Sequence, residues 1–165
     1  MKKIKVQELS RDKFRMYGDY QDLLHVVEDN QQTGGSNIFV PDCLTMSLDG
    51  SLPAAISIAR VSEAETIIEM VEYHKFTCEG ILPIDGDCII FVGPAGFRFD
   101  TSGIEAYRVP RGTFVQLKPG VLHGRQFTSG APQVNVLILL PQRTYANDTV
   151  MERLEGDNRI EIASA

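Results

Sequence analysis

The sequence predicts an all-β domain that folds as a sandwich or a barrel. Short segments rich in Ile, Val, Phe and Tyr follow one another through most of the chain, and Gly, Pro and Asp separate them at short intervals. This spacing is typical of sandwiches and barrels, because alternating βαβ units would place a helix between successive strands. The segments predicted as strands are 2–7, 54–60, 66–74, 80–83, 87–92, 104–109, 113–117 and 134–140.

A length of 165 residues predicts a single domain. Residues 10–29 are expected to hold one helical turn or a short helix, followed by a polar, Gly-containing loop at 29–36. The run at 134–140 is almost continuously apolar, as in a strand buried on both faces. One helical turn is expected at 150–154, and then a loose end. The predicted organisation is an N-terminal strand, short helix and loop (1–50), a barrel core (54–141) and a C-terminal tail (143–165).

The composition argues against nucleic acid and anionic membranes as partners, and it favours a cytoplasmic location. The net charge of −6 argues against binding to nucleic acid or to an anionic membrane surface, which would require a basic patch. The basic N-terminus is not followed by an apolar stretch, and no run is long enough to span a bilayer. The odd cysteine count without a CxxC spacing favours free thiols in a reducing cytoplasm, the cysteines being Cys43, Cys78 and Cys88.

The predicted strand 66–74 carries the first chemistry-bearing residues. Because side chains alternate along a strand, Ile68, Met70, Glu72 and His74 are expected on one face. That face would be apolar at one end and polar at the other, as in a barrel with a ligand site near its mouth. A buried Glu beside a His needs a partner, a metal or a substrate. A slip of one residue in register would instead send Glu72 to the outer face.

The spacing of these residues resembles the first sequence motif of the cupins. The pattern is Glu72-x-His74-x4-Glu79-x6-Gly86, in which Glu72 stands where the family's first His would be. The resemblance implies a double-stranded β-helix, also called a jelly-roll barrel, with a short helical element at its N-terminus.

The second cupin motif is matched further along the chain. Gly120-x2-His123 keeps the Gly-to-His spacing of that motif, while Pro119 is displaced by one position. The resemblance implies that four side chains point into one pocket. Two imidazoles and two carboxylates suit a divalent ion such as Mn, Fe, Ni or Zn, so the predicted metal ligands are Glu72, His74, Glu79 and His123.

A closer resemblance, over most of the chain, is to the ureidoglycolate lyase family of cupins, also called ureidoglycolate hydrolases. It runs with few gaps from Ile56 to about Gly93. The family has Gln at the position of Glu79, Arg and Pro beside the His, and Trp-His-His-Pro where this chain has residues 122–125. The chain therefore resembles a divergent member. The segments that carry the resemblance are 14–19 (FRMYGD), 56–60 (ISIAR), 71–86 and 122–123.

The resemblance implies cleavage of ureidoglycolate into glyoxylate and urea, a step of allantoin and purine degradation. His74 and His123 would be metal ligands or acid/base groups, and Glu72 or Glu79 a ligand or the base. A cationic side chain would pair with the substrate carboxylate, preferably a bidentate Arg. The predicted catalytic residues are Glu72, His74 and His123, and the predicted substrate-binding residues are Arg60, Lys75 and Arg125.

Two other functions stay open on the sequence. The chain could be another metal-dependent cupin enzyme, an isomerase or a dioxygenase acting on a different small hydroxy-carboxylate, or a cupin that binds a ligand without turnover. The sequence shows no helix-turn-helix segment, which argues against a DNA-binding regulator. A homodimer is expected, because cupins commonly dimerise and all-β domains with exposed strands often pair with a copy of themselves.

Overall fold

The computed structural model describes residues 1–29, 37–96 and 99–163, except for the side chain of Asp29. The loop predicted at 29–36 lies outside the described residues, apart from the backbone of Asp29. Three four-residue helices are present in the described ranges, α1 (Arg11–Phe14), α2 (Val26–Asp29) and α3 (Thr144–Asn147). The strands are β1 (Lys2–Glu8), β2 (Gly18–Asp22), β3 (Ala54–Ser62), β4 (Ile67–Ile68), β5 (Met70–His74), β6 (Glu79–Pro83), β7 (Cys88–Val92), β8 (Glu105–Val109), β9 (Thr113–Leu117), β10 (Phe127–Thr128), β11 (Gln133–Pro141), β12 (Thr149–Arg153) and β13 (Ile160–Ala163).

Two sheets pack face to face as a cupin-type β-barrel, which confirms the predicted fold. One sheet has the strand order β10-β7-β8-β1-β13-β4, and the other has the order β2-β9-β6-β11-β3. The core between them is built from alternate residues of both sheets. Ile90 and Tyr107 contribute from the first sheet, and Ile81 and Val136 from the second. Phe14 of α1 closes the core with edge-to-face ring contacts, so the short N-terminal helix has a packing role.

The predicted strand 66–74 is two strands. The prediction that Ile68 and Met70 share one face with Glu72 and His74 is wrong. Ile68 of β4 pairs with Ile160, whereas Met70 of β5 pairs with Arg153 in a separate two-stranded sheet. Because the chain changes sheets at Glu69, the alternation is not continuous. Ile68 is buried in a second core on the outer side of the six-stranded sheet, and Met70 is exposed.

Two strands occupy the C-terminal segment as far as Ala163, so the helical turn and loose end predicted there are wrong. Strand β12 pairs antiparallel with β5, placing Thr149 opposite His74. Strand β13 pairs with β1 and β4, and Ile160 and Ile162 are buried. These strands form because distant partners provide their hydrogen bonds and cover their apolar side chains, which local patterning does not report.

Strand β11 is buried on one face, not on both as its composition predicted. Val136 and Ile138 lie in the barrel core, whereas Leu137 and Leu139 are half-buried on the outer face. In the described part of the chain, no further layer covers that outer face. Strand β3 lies at the edge of the same sheet and is largely exposed.

The structure bears on two predictions from composition, the absence of a membrane-spanning run and the state of the cysteines. Among the described residues, none of the helices has the length and apolar character that a membrane crossing requires. All three cysteines are free thiols, and Cys78 and Cys88 are buried. Burial raises the pKa of the Cys88 thiol to about 12, so it packs as a small apolar side chain.

Candidate metal centre

Three side chains converge at one end of the barrel core. His74 stands at the end of β5, Glu79 at the start of β6, and His123 in the segment that follows β9. The Nε2 atom of His74 lies 2.9 Å from Oε2 of Glu79, and Nε2 of His123 lies 3.0 Å from the same oxygen. Each side chain is at most 4% exposed.

Backbone pairing positions each of the three residues. Glu79 opposes Leu117 of β9 and points into the barrel with it. The segment carrying His123 is held by a reciprocal pair of backbone hydrogen bonds with Glu72. Gly120, at a φ of +78°, turns the chain into this segment and donates its N–H to the carbonyl of His74 at 2.6 Å.

Hydrogen bonds fix the orientation of both imidazoles. Nδ1–H of His123 donates to the carbonyl of Val121 at 2.8 Å, and Nδ1–H of His74 donates to the carbonyl of Asp148 at 3.2 Å. A carbonyl only accepts, so Nδ1 carries the proton in each ring. Both Nε2 atoms therefore turn a lone pair, or a second proton, toward the Glu79 carboxylate.

The electrostatics of the centre favour positive charge between these atoms. Burial raises the pKa of Glu79, but the charge of His123 and hydrogen bonds from both imidazoles outweigh it and lower that pKa to about 2. Burial lowers the pKa of His123, but the charge and hydrogen bond of Glu79 raise it to about 9. The negative charge that stabilises protons on the imidazoles would also stabilise a bound cation.

The donor set fits a divalent metal ion. One ligand atom from each of His74, Glu79 and His123 lies within 4.8 Å of the others, a separation that one ion can bridge. Two imidazole nitrogens and one carboxylate oxygen, with coordination positions left open, are typical of catalytic Zn, Fe and Mn sites. The carbonyls behind each Nδ1 supply the outer hydrogen bonds that metal-binding histidines use. The centre can therefore hold a divalent metal, as the sequence predicted.

Glu72 lies beside this group and is not part of it. It opposes His123 across an isolated β-bridge and faces the same side as His74 on β5, so the register slip considered for this strand does not occur. Burial and the neighbouring Glu79 raise the pKa of the half-buried Glu72 carboxyl, against the opposing charges of His123 and His74. Its role as a fourth ligand stays a prediction, and the raised pKa suits proton transfer.

The sequence reasoning missed one wall of the site. Because β12 pairs with β5, Met151 opposes Glu72. Tyr145 of α3 packs edge-on against His74, with 6.4 Å between ring centroids, and is 59% exposed. Burial and the charges of Glu79 and Glu72 raise the Tyr145 pKa to about 12. The segment at 149–153 has too few apolar residues to indicate this strand from the sequence alone.

The structure shows no hydrogen bond or ion pair between the three ligands and the cations predicted to bind substrate, among the residues it describes. Arg60 donates to the side chain of Asn135 on the outer face of the five-stranded sheet. The guanidinium of Arg125 lies 4.6 Å from the ring centroid of Phe127. The Lys75 side chain is exposed and makes no hydrogen bond or ion pair with residues that the structure describes. A substrate-binding role for each stays a prediction.

Comparison with known proteins supports the fold. No protein-family model and no curated protein matches the sequence. A dTDP sugar isomerase from Desulfovibrio desulfuricans G20 is similar in structure over 73% of this chain and 74% of its own, with 16% identity and a TM-score of 0.50. This likeness is consistent with a cupin β-barrel.

Two further structures show weaker similarity. Bacillus subtilis oxalate decarboxylase, in a study of its Mn(II) centres, matches 61% of this chain with 17% identity and a TM-score of 0.44. This chain spans 24% of that protein's length. The dTDP-4-dehydrorhamnose 3,5-epimerase of Bacillus anthracis matches 59% of this chain and 58% of its own, with 15% identity and a TM-score of 0.42.

Proposed function

We propose that this chain is a metal-dependent cupin enzyme that acts on a small hydroxy-carboxylate. One observation carries the proposal: His74, Glu79 and His123 bring two Nε2 atoms and one carboxylate oxygen within 4.8 Å of one another, while both Nδ1 atoms are already hydrogen-bonded. Such a buried group of like-oriented acceptors requires a cation, which a metal ion or imidazole protons would supply. An ion held by the three side chains would lower the pKa of a substrate hydroxyl and neutralise a carboxylate.

The charge distribution around the centre supports an anionic substrate that binds through the ion. Arg60 and Arg125 have their polar and cation–π contacts away from the three ligands. A substrate carboxylate and its neighbouring hydroxyl form a natural chelate, which would not need a separate cationic anchor. Tyr145 and Met151 would limit the size of the substrate and exclude water from its other side.

Glu72 is proposed as the acid/base group. Its carboxyl is adjacent to the centre without belonging to the three-ligand group, and it is half-buried. Its pKa is raised toward neutral pH. A carboxylate with such a pKa can accept a proton and return it within one turnover. Its position opposite His123 supports this role, because a substrate on the open side of the centre would lie close to it.

Cleavage of ureidoglycolate is the specific reaction proposed, and it rests on the sequence resemblance. Glu72 takes the proton from the carbinol hydroxyl, the oxygen forms a carbonyl with the carbon, and the C–N bond breaks. The proton on Glu72 then passes to the urea nitrogen, so glyoxylate and urea leave with all atoms balanced. His74 and His123 hold their positions throughout, since the hydrogen bonds from Nδ1 to backbone carbonyls fix the orientation of both rings.

The test is release of urea and glyoxylate from ureidoglycolate by the full chain supplied with Mn²⁺, Fe²⁺, Ni²⁺ or Zn²⁺ in turn. We expect Glu72→Gln to retain metal and to lower kcat by about 10²–10⁴-fold, as for loss of a general acid/base. Glu69→Gln is the matched control, because Glu69 is exposed and its carboxylate pairs with Arg159 at the surface.

Two outcomes would contradict parts of the proposal. Turnover of another small hydroxy-carboxylate, with ureidoglycolate left intact, would remove the specific reaction and keep the enzyme. Saturable binding of such acids without turnover, under every ion tested, would remove the enzyme and leave a ligand-binding cupin.

A further inference from the structure

Among the strands that the structure describes, β3 pairs with a neighbour on one side and forms a sheet edge on the other. It is nine residues long, pairs with β11 along its whole length, and forms the end of the five-stranded sheet. Natural edge strands usually carry prolines, several charges, bulges or a covering element, which prevent pairing with another chain. Strand β3 contains no proline and a single charged residue, Arg60, and its register with β11 shows no bulge.

The pairing of β3 with β11 determines which backbone N–H and C=O groups of β3 point to the open edge. The carbonyl of Pro53 accepts from the N–H of Gln142, and the N–H of Glu63 donates to the carbonyl of Pro132. Odd-numbered positions thus face β11, since both backbone groups of a residue point to one side of a strand. The groups of the even-numbered positions point to the open edge, at Ala54, Ile56, Ile58, Arg60 and Ser62.

The same edge carries the large apolar side chains of the outer face. Ile56 is 69% exposed and Ile58 is 58% exposed. In register beside them lie Leu139 and Leu137 of β11, which are half-buried. A contiguous apolar strip next to a free edge is unusual for a surface that stays in water.

The sequence of β3 is self-complementary about one residue. Positions 55–59 read Ala-Ile-Ser-Ile-Ala, a palindrome centred on Ser57. An antiparallel copy related by a two-fold axis at Ser57 places Ile56 opposite Ile58 of the partner subunit. It also places the cation Arg60 opposite Ala54 of the partner subunit, so no like charges meet. This register pairs even-numbered positions with even-numbered ones, so the free backbone groups of both edges face each other.

We propose that two copies of this chain dimerise by antiparallel pairing of their β3 strands across a two-fold axis at Ser57. The occupant of the edge is a second copy, because an isologous contact needs a surface complementary to itself and the palindrome provides one. The pairing joins two five-stranded sheets into a continuous ten-stranded sheet and covers Ile56 and Ile58. It is independent of the proposed activity, since it uses no residue of the metal centre.

The first test is the mass of the full chain in solution as a function of concentration, by sedimentation or light scattering. Wild type is expected to be a dimer whose dissociation follows dilution. Ile58→Lys places a charge on the strip and is expected to weaken the dimer at least tenfold. The matched control is Phe39→Lys, at an apolar residue that is 79% exposed and lies outside β3. A monomeric wild type, or a dimer equally stable in Ile58→Lys, would overturn the proposal.

A disulfide tests the register without relying on loss of assembly. The two Ser57 residues would form a non-hydrogen-bonded pair with Cα atoms about 4.5 Å apart, within the range that a disulfide spans. In a Cys43→Ser background, Ser57→Cys is expected to yield a covalent dimer under mild oxidation. Ser62→Cys on the same strand is the control, because its copies would lie at opposite ends of the pairing. Equal cross-linking of both variants, or none at Ser57→Cys, would reject this register.

Discussion

Glu72 and His123 are joined by two backbone hydrogen bonds, one in each direction. The N–H of Glu72 donates to the carbonyl of His123 at 2.8 Å, and the N–H of His123 donates to the carbonyl of Glu72 at 2.9 Å. Directly opposed residues of an antiparallel bridge project to the same face, so this contact aligns the two sequence motifs, which lie about fifty positions apart. The acid/base candidate and a metal ligand are therefore neighbours by backbone geometry.

The stability of the metal-free protein should depend on pH through the Glu79–His123 pair. The pKa of Glu79 is lowered from 4.5 to about 2, so its contribution is present above pH 4.5 and is lost as the pH falls toward 2. The pKa of His123 is raised from 6.5 to about 9, so its contribution is full below pH 6.5 and is lost as the pH rises toward 9. The pair should stabilise most between pH 4.5 and 6.5.

Urea unfolding of the metal-free chain at a series of pH values checks this prediction. The free energy of unfolding of wild type should exceed that of His123→Gln most near pH 5–6, and the difference should shrink by pH 9. A difference that stays constant across this range would show that the two groups do not titrate as a coupled pair.

Asp148 should be needed for the position of His74. Its carboxylate accepts the N–H groups of Lys75 and Phe76 at 2.9 and 3.0 Å, and its carbonyl accepts Nδ1–H of His74. Asp148→Ala would leave these two partly buried N–H groups without their partner, which costs up to about 1–3 kcal/mol. Metal affinity should fall about 10–100-fold, as for other residues that orient a ligand.

Asp148→Asn is the matched variant, because it keeps the size of the side chain and one acceptor oxygen. It should lose less stability and less metal affinity than the alanine variant, as measured by unfolding and by metal titration. Equal metal affinity in wild type and Asp148→Ala would show that His74 is oriented by other contacts.

Tyr145 should act on substrate and not on the metal. Its ring contacts His74, and its high pKa keeps the hydroxyl protonated and able to donate a hydrogen bond. Tyr145→Phe is expected to keep full metal content while kcat/KM falls about tenfold, the value of one hydrogen bond to a charged group. Steady-state kinetics beside elemental analysis separate the two effects. Loss of metal from Tyr145→Phe would instead assign the hydroxyl a role in building the centre.

Gly18 should be intolerant of any side chain. A Cβ atom at this position would lie 1.7 Å from the carbonyl oxygen of Gln116, so β2 and β9 would have to separate. Gly18→Ala should lower the free energy of unfolding by at least about 2 kcal/mol. Asp19→Ala is the control, since its ion pair with Arg11 is exposed and contributes at most about 1 kcal/mol. A Gly18→Ala protein as stable as this control would contradict the packing described here.

The barrel strands and two of the predicted ligands, His74 and Glu79, follow from sequence patterns because local information determines them. Strand β9 spans the predicted residues, and six other predicted strands from residue 54 onward are found with shifted ends or, at 66–74, split in two. The spacing of His74 and Glu79 around one turn is a local property as well. The cupin spacing then linked these two residues to His123, which no local periodicity could do.

The remaining features depend on contacts between distant segments. Strands β12 and β13 form by pairing with β5 and β1, and the segment at 149–153 has too few apolar residues to indicate a strand by itself. The break at Glu69 follows from a change of sheet partner. The register with β11 places Arg60 on the outer face beside Asn135, a position that the local pattern at 56–60 does not report.

Metal content is the most direct test of the central claim. The full chain is loaded with Mn²⁺, freed of unbound ion by gel filtration and analysed for metal and protein. About one ion per chain is expected for wild type and for the control Glu69→Gln, with strong loss in both Glu79→Gln and His123→Ala. Absence of stoichiometric binding with Mn²⁺, Fe²⁺, Ni²⁺ and Zn²⁺, or full retention in both variants, would contradict a metal centre at His74, Glu79 and His123.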